Sequence, residues 1–167
     1  IARLRLALER HVLNQLLEID PHNRTCLTHL FNIEKLSVDS PGFHEAARNL
    51  LDVLLSDRQA HQETIGVYQE YIGRASTPKL PLKLLLRISS YFAATGHVAE
   101  SEKIVGMLLK KKPGVAKLPE GLLHIARACL RDGLTAKGRK YLQVICLRYP
   151  ASSEGGIARR MLEDMGS

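Results

Sequence analysis

The sequence has no tryptophan, and phenylalanine and tyrosine together make up only 5% of it. Scattered along the chain, three phenylalanines and five tyrosines do not form the stacked aromatic platforms on which single-stranded nucleic acids lay their bases. Cysteine is scarce as well. Cys26, Cys129 and Cys146 form an odd set at wide, irregular spacing, which excludes a disulfide framework and a zinc-ribbon pattern. Buried free thiols are the plain reading, with a lean toward a reducing compartment. No apolar run approaches the roughly 18 uncharged residues a membrane span requires. The longest candidate, Leu80 to Ile88, is broken by Lys83 and Arg87.

Strand signals are nearly absent. β-Branched and aromatic residues never alternate over a useful length, and the one Asp-Gly pair, Asp132-Gly133, sits inside helical patterns. Catalytic motifs are missing too: no Gly-rich phosphate loop, no Gly-x-Ser-x-Gly elbow and no His-Glu-x-x-His. Ser152 to Gly156 contains two glycines but has no strand before it and no Lys-Ser or Lys-Thr after it, so it reads as a loop. The expectation is a protein that is not an enzyme and needs no cofactor and no metal.

What is present is the helical period. Leu84, Leu85, Ile88 and Phe92, then Val98, Ile104, Val105, Leu108 and Leu109, recur three and four residues apart. A chain of 167 residues suffices for a single domain, 1–167, with a real core. Charge is unevenly spread. Residues 1–75 carry eight Lys/Arg against ten Asp/Glu, and residues 76–167 carry sixteen against seven, so the overall +7 resides in the second half. Such asymmetry points to an acidic partner or to nucleic acid.

A shift of 37 positions superimposes the second half on itself. Gly96 falls on Gly133 and Pro113 on Pro150; Leu85, Leu86 and Ile88 fall on Leu122, Leu123 and Ile125; Ala99 falls on Ala136 and Lys103 on Lys140. The glycines and prolines matter most, because glycine reaches the left-handed conformation that ends a helix and proline cannot continue one. A period of 20 to 50 residues suggests stacked helical hairpins. One hairpin pairs a helix over 82–95 with one over 98–111, turning at Gly96. The next pairs 120–131 with 135–149, turning at Asp132-Gly133.

Small residues midway along each first helix (Ser89, Ala126) and early in each second helix (Ser101, Gly138), followed by Val105 or Leu142 and the closing proline, resemble the tetratricopeptide repeat. The pattern departs from that family where a large early aromatic is replaced by Leu85 or Leu122, where Phe92 becomes Cys129, and where Leu108 or Ile145 replaces a small residue. The resemblance implies an all-α fold: a right-handed α-solenoid of stacked antiparallel hairpins with about eight helices. It covers two clearer repeats, 81–113 and 118–150, after irregular pairs over 1–80, with a cap helix at 154–165. In the first half, helices are expected up to Asp20-Pro21, over 24–36, 44–55 and 59–74, with Ser40 to Gly42 as a turn and 74–81 as a connector whose prolines forbid a continuous helix. The same register brings Cys129 and Cys146 near one another. Arg148 to Leu162, "RYPASSEGGIARRML", is also similar to the terminal repeat of bacterial tetratricopeptide proteins. That implies a bacterial domain, cytoplasmic or the soluble part of a membrane-associated protein. The opening at Ile1 without methionine suits a piece of a longer chain with any tether outside it.

In that family the first helices of the pairs line the concave groove. The resemblance therefore implies a partner site built from Lys83, Arg87 and Ser90 beside His124, Arg127 and Arg131, each trio sharing one helix face. Donors of this kind suit an acidic protein or peptide segment. The lysine and asparagine with which some family members clamp peptide C-termini are not reproduced, since Leu86 and Ser90 stand there. Two further patterns are weaker. Lys110 to Lys112 end a helix, where cations complement the carbonyl dipole. His22, Cys26 and His29 share a spacing that soft metals use but lack a fourth ligand. The leading expectation is a noncatalytic scaffold module with a basic groove; the alternative is a helical-repeat nucleic-acid binder.

Overall fold

The computed structural model describes residues 2–37 and 39–166. Among them are nine α-helices and no strand: α1 (Ala2–Ile19), α2 (Arg24–Glu34), α3 (Pro41–Leu54), α4 (His61–Arg74), α5 (Leu82–Ala94), α6 (Val98–Lys111), α7 (Leu118–Arg131), α8 (Thr135–Arg148) and α9 (Ser153–Asp164). The all-α class stands. The nine helices among the described residues match the segments marked by the periodicity one for one, with α4 and α5 separated by the proline-bearing connector, so the expected figure of about eight is one too low. No helix among the described residues is long and apolar enough to cross a membrane.

Helix ends follow local chemistry. Asn23 caps α2 by accepting from the Cys26 N–H at 3.0 Å. Ser40 caps α3 by accepting from the Phe43 N–H at 3.1 Å, with Pro41 in the first turn. Ser40 to Gly42 is therefore a helix start and not the expected turn. Pro119 likewise sits in the first turn of α7, so the connection before it is shorter than expected. Gly96 and Gly133 have φ of 87° and 78°. His97 N–H donates to Phe92 O and Leu134 N–H to Cys129 O, each at 2.8 Å, closing two matching left-handed helix ends.

The chain divides into two compact units, residues 1–84 and 85–167, with the division inside α5. In the first unit, α2 packs on α1 and α3, and α3 on α4. Phe31, Phe43 and Tyr71 form its aromatic centre, with ring centroids 5.8 Å apart for Phe31–Phe43 and 5.3 Å for Phe43–Tyr71. Leu27, Leu50, Leu51 and Leu54 fill around them. Arg24 at the start of α2 bonds Glu63 in the first turn of α4, and Lys35 just past α2 lies 3.1 Å from Glu70. Those pairs set α2 and α4 side by side in the same direction. The connector 75–81 is pinned twice: Ser76 N–H donates to Asp39 Oδ1, and Lys79 N–H donates to the Tyr71 hydroxyl. Along α1, Leu4, Leu8, Val12 and Leu16 form an exposed apolar row at four-residue spacing.

In the second unit the core comprises Ile88, Phe92, Ile104, Val105, Leu122, Ile125, Leu142 and Ile145. α6 packs on α7, α7 on α8, and α9 on both α7 and α8. Two hairpins are held by small residues. Ser89 and Ser101 meet across α5 and α6, and Gly138 of α8 lies so near α7 that a Cβ there would stand 3.2 Å from Ala126 O and 2.7 Å from Leu130. Hydrogen bonds also join corresponding helices of the two hairpins. Lys137 Nζ and Tyr141 Oη of α8 both reach Glu102 of α6, at 2.6 and 2.7 Å, and Tyr149 Oη reaches Pro113 O at 2.8 Å.

Candidate functional site

Within the second unit, α5 and α7 run alongside each other because Ser90 Oγ lies 2.8 Å from His124 Nδ1 and Arg131 Nη2 donates to Ala93 O at 3.2 Å. Between these helices is an open cavity of about 570 Å³ lined by Ser90, Tyr91, Ala93, Ala94, His124, Arg127, Ala128 and Arg131. The spacing explains the lining. Ser90, Ala93 and Ala94 share one face of α5, and His124, Arg127, Ala128 and Arg131 share one face of α7. Alanines on both sides leave the room, and the polar groups stand around an apolar floor.

Four of the six expected site residues thus line one cavity: Ser90, His124, Arg127 and Arg131. Arg87 is exposed on α5 but outside that lining. Lys83 is exposed and falls in the first unit. Tyr91, Ala93, Ala94 and Ala128 join the lining without having been expected there. Charge marks one face of α5, while the cavity uses the face about one residue further round.

The cations of the cavity are not equivalent. Arg131 Nε bonds Asp132 Oδ1 at 2.9 Å, and this hydrogen bond and the neighbouring carboxylate hold the guanidinium above its usual pKa. Its other arm covers a carbonyl near the end of α5, a group with no helical partner of its own. Arg131 is therefore committed to the protein. Arg127 is exposed and, among the described residues, enters no ion pair. His124 is half-buried and already engaged by Ser90. The site is less basic than the bare residue list suggests, with one uncommitted positive charge at its rim.

Other sequence candidates resolve as follows. Lys110 and Lys111 occupy the last exposed turn of α6 and Lys112 caps it. α2 begins at Arg24, so His22 precedes the helix and does not share a face with Cys26 and His29. No group of three His, Cys, Asp or Glu suited to a metal ion occurs among the described residues. All three cysteines are free thiols. Cys129 O accepts from the Leu134 N–H at the α7–α8 turn, whereas Cys146, late in α8, has its Sγ 3.8 Å from Gly155 O. Burial pushes the Cys129 thiol up, which keeps it protonated at neutral pH. No protein-family model, curated protein or solved structure matches the chain.

Proposed function

We propose that residues 81–150 are two stacked hairpins of a tetratricopeptide-like, right-handed α-solenoid, and that the protein is a noncatalytic interaction module whose α5–α7 cavity receives an acidic segment of a partner polypeptide. Several observations support the stacking. Hairpin partners Ser89 and Ser101 recur as Ala126 and Gly138, the two turn glycines share a left-handed conformation, and α5–α7 and α6–α8 are joined as like with like. The observation that carries the binding reading is the cavity itself. It combines an alanine floor, wide enough for a side chain, with the free guanidinium of Arg127 at its edge. An arginine in that position offers two parallel N–H donors to a carboxylate. The bacterial, membrane-associated setting implied by the sequence resemblance belongs to this same proposal.

A helical-repeat nucleic-acid binder is the second reading, favoured by the surplus of sixteen Lys/Arg over seven Asp/Glu in residues 76–167. The two separate in one experiment. Isotope-labelled protein is titrated with a synthetic glutamate-rich peptide and, in parallel, with a short DNA duplex at about 150 mM salt, where multi-phosphate binding is already weakened. Saturable shifts at Ser90, His124, Arg127 and Ala128 with the peptide support the groove. Shifts spread over the exposed lysines with the duplex alone overturn it in favour of the rival.

A further inference from the structure

Helix α1 has two apolar faces, and α2 covers one of them. Arg10, Leu13 and Leu17 follow at three- and four-residue spacing, and Arg10 bonds Glu34, the last residue of α2. Another side of α1 bears Leu4, Leu8, Val12, Leu16 and Ile19, all exposed; Leu4 is 77%, Leu8 63% and Ile19 84% accessible. An unbroken apolar row of this length marks an interaction surface.

The two helices differ in reach. Residues 20–23 join them, so they run antiparallel, and the Arg10–Glu34 pair places the end of α2 beside the middle of α1. Residues 2–9 therefore extend about 12 Å past α2. Two helical turns in water are only marginally stable by themselves, since helices owe most of their stability to packing on an apolar face. Leu4 and Leu8 sit on this overhang, whereas Val12, Leu16 and Ile19 sit on the half that α2 supports.

The row is complementary to itself. Turned end for end about Val12, α1 lays Leu8 on Leu16 and Leu4 on Ile19 of a second copy, with the smaller valine of each at the crossing point. The overhang of each copy then rests on the supported half of the other. Charge selects this direction. Residues 2–9 carry Arg3, Arg5 and Glu9, a net of +1, and residues 15–20 carry Glu18 and Asp20, a net of −2. Arg10, between them, is matched by Glu34 and does not tip the balance. Glu18 and Asp20 stand where the helix's own carbonyl dipole disfavours them, and no basic residue occupies that last turn. Antiparallel pairing brings the arginines of one copy to these carboxylates of the other, whereas parallel pairing sets like against like. We propose that this row is the contact of a symmetric antiparallel homodimer, the same face of α1 presented by both copies. The contact lies wholly in the first unit and is independent of the α5–α7 cavity.

The test uses the whole chain. Sedimentation velocity over roughly a hundredfold range of concentration should show a monomer–dimer equilibrium that stops at two copies. Leu8→Glu, at an exposed position, should weaken dimerisation roughly tenfold or more with helicity unchanged. Mild oxidation then tests the geometry. Position 12 meets itself across the two-fold axis, so Val12→Cys should cross-link the dimer. Position 4 lies about 24 Å from its counterpart, so Leu4→Cys should not, because a disulfide needs its Cα atoms within about 7 Å. The wild type, with its own three thiols, is the control. A wild type that stays monomeric throughout, an undiminished dimer in Leu8→Glu, open-ended association, or cross-linking at position 4 as readily as at position 12 overturns the proposal. Capture of a monomeric wild type by anionic lipid vesicles, lost in Leu8→Glu, would assign the row to a membrane surface instead. Should Leu8→Glu lose helicity, the two cysteine variants decide.

Discussion

The hydroxyls of Ser89 and Ser101, both fully buried, lie 2.8 Å apart, and Ser101 Oγ also reaches the Ser89 carbonyl oxygen at 2.7 Å. Ser101 donates to the Ser89 carbonyl and accepts from the Ser89 hydroxyl, so both are satisfied while α5 and α6 approach closely. Ser89→Ala and Ser101→Ala should each cost about 1 kcal/mol, with a coupling of similar size in the double mutant, because the second loss finds no partner left to orphan. Ser101→Leu should cost more, since it forces the helices apart. Chemical denaturation of the four variants measures this. Strict additivity of the two alanine changes would contradict the pairing.

Neighbouring glycines in α9 should respond oppositely to the same change. A Cβ on Gly155 would collide with the Tyr149 carbonyl oxygen and stand 3.2 Å from Pro150 O, both backbone atoms that cannot swing away. Gly156 has open space around it. Gly155→Ala should destabilise by about 1–3 kcal/mol, while Gly156→Ala should be neutral or stabilise by up to about 1 kcal/mol through helix propensity. Thermal melts that rank the two the other way would show that α9 does not seat against the end of α8 as described.

Gly133 has φ of 78°, and nothing lies within 4 Å of the place a Cβ would take. Backbone conformation constrains this position, and space does not. Gly133→Val should therefore cost about 1–3 kcal/mol, and Gly133→Asn distinctly less, because asparagine tolerates this region. Equal losses for both in thermal melts would point to crowding instead.

Tyrosine ionisation gives a pH signature. Burial pushes the Tyr68 hydroxyl up to about 12. Burial and the hydrogen bond it donates to Glu102 also push Tyr141 above its usual value. A phenol whose folded value lies above its unfolded value of about 10 contributes stability that is intact below about pH 10. That contribution is lost as pH rises through the folded value, so for Tyr68 the window runs from about 10 to about 12. Absorbance at the tyrosinate band should show Tyr68 and Tyr141 still protonated at about pH 10.5 in the native protein and largely ionised after denaturation. Tyr68→Phe and Tyr141→Phe assign the steps. Native ionisation of either at about pH 10 would place its hydroxyl in water.

Much of the secondary structure is legible in the sequence because helix periodicity and stop signals are local. Gly96, Gly133 and the apolar spacing mark α5 to α8 to within about two residues, and Ser89, Ser101 and Gly138 mark where helices approach. What is not legible depends on groups distant in the chain. The charged face of α5 includes Lys83 and Arg87, yet the cavity forms a turn later, where Ala93 and Ala94 leave space opposite Ala128. Arg131 reads as a free cation in the sequence, but the Ala93 carbonyl, 38 residues away, holds one arm of it. Asp39 at φ 66° is tied to Ser76, and His44 to Tyr71, across 37 and 27 residues. No periodicity reports such pairs. Ser40-Pro41 is a different kind of case: a serine before a proline carries the signature of a helix start as well as that of a turn, and only the packing of α3 decides between them.

The proposed acidic-segment groove rests on Arg127, and a comparison of two charge reversals tests it most directly. Arg127→Glu and Lys111→Glu change the net charge equally, but Lys111 lies at the exposed end of α6, outside the cavity lining. Fluorescence anisotropy of a labelled glutamate-rich peptide should show binding to the wild type and to Lys111→Glu with similar affinity. For Arg127→Glu it should show a loss of roughly tenfold or more, with helicity unchanged. Equal weakening by both reversals would mean that the peptide senses only overall charge, and undiminished binding by Arg127→Glu would remove the cavity from the account.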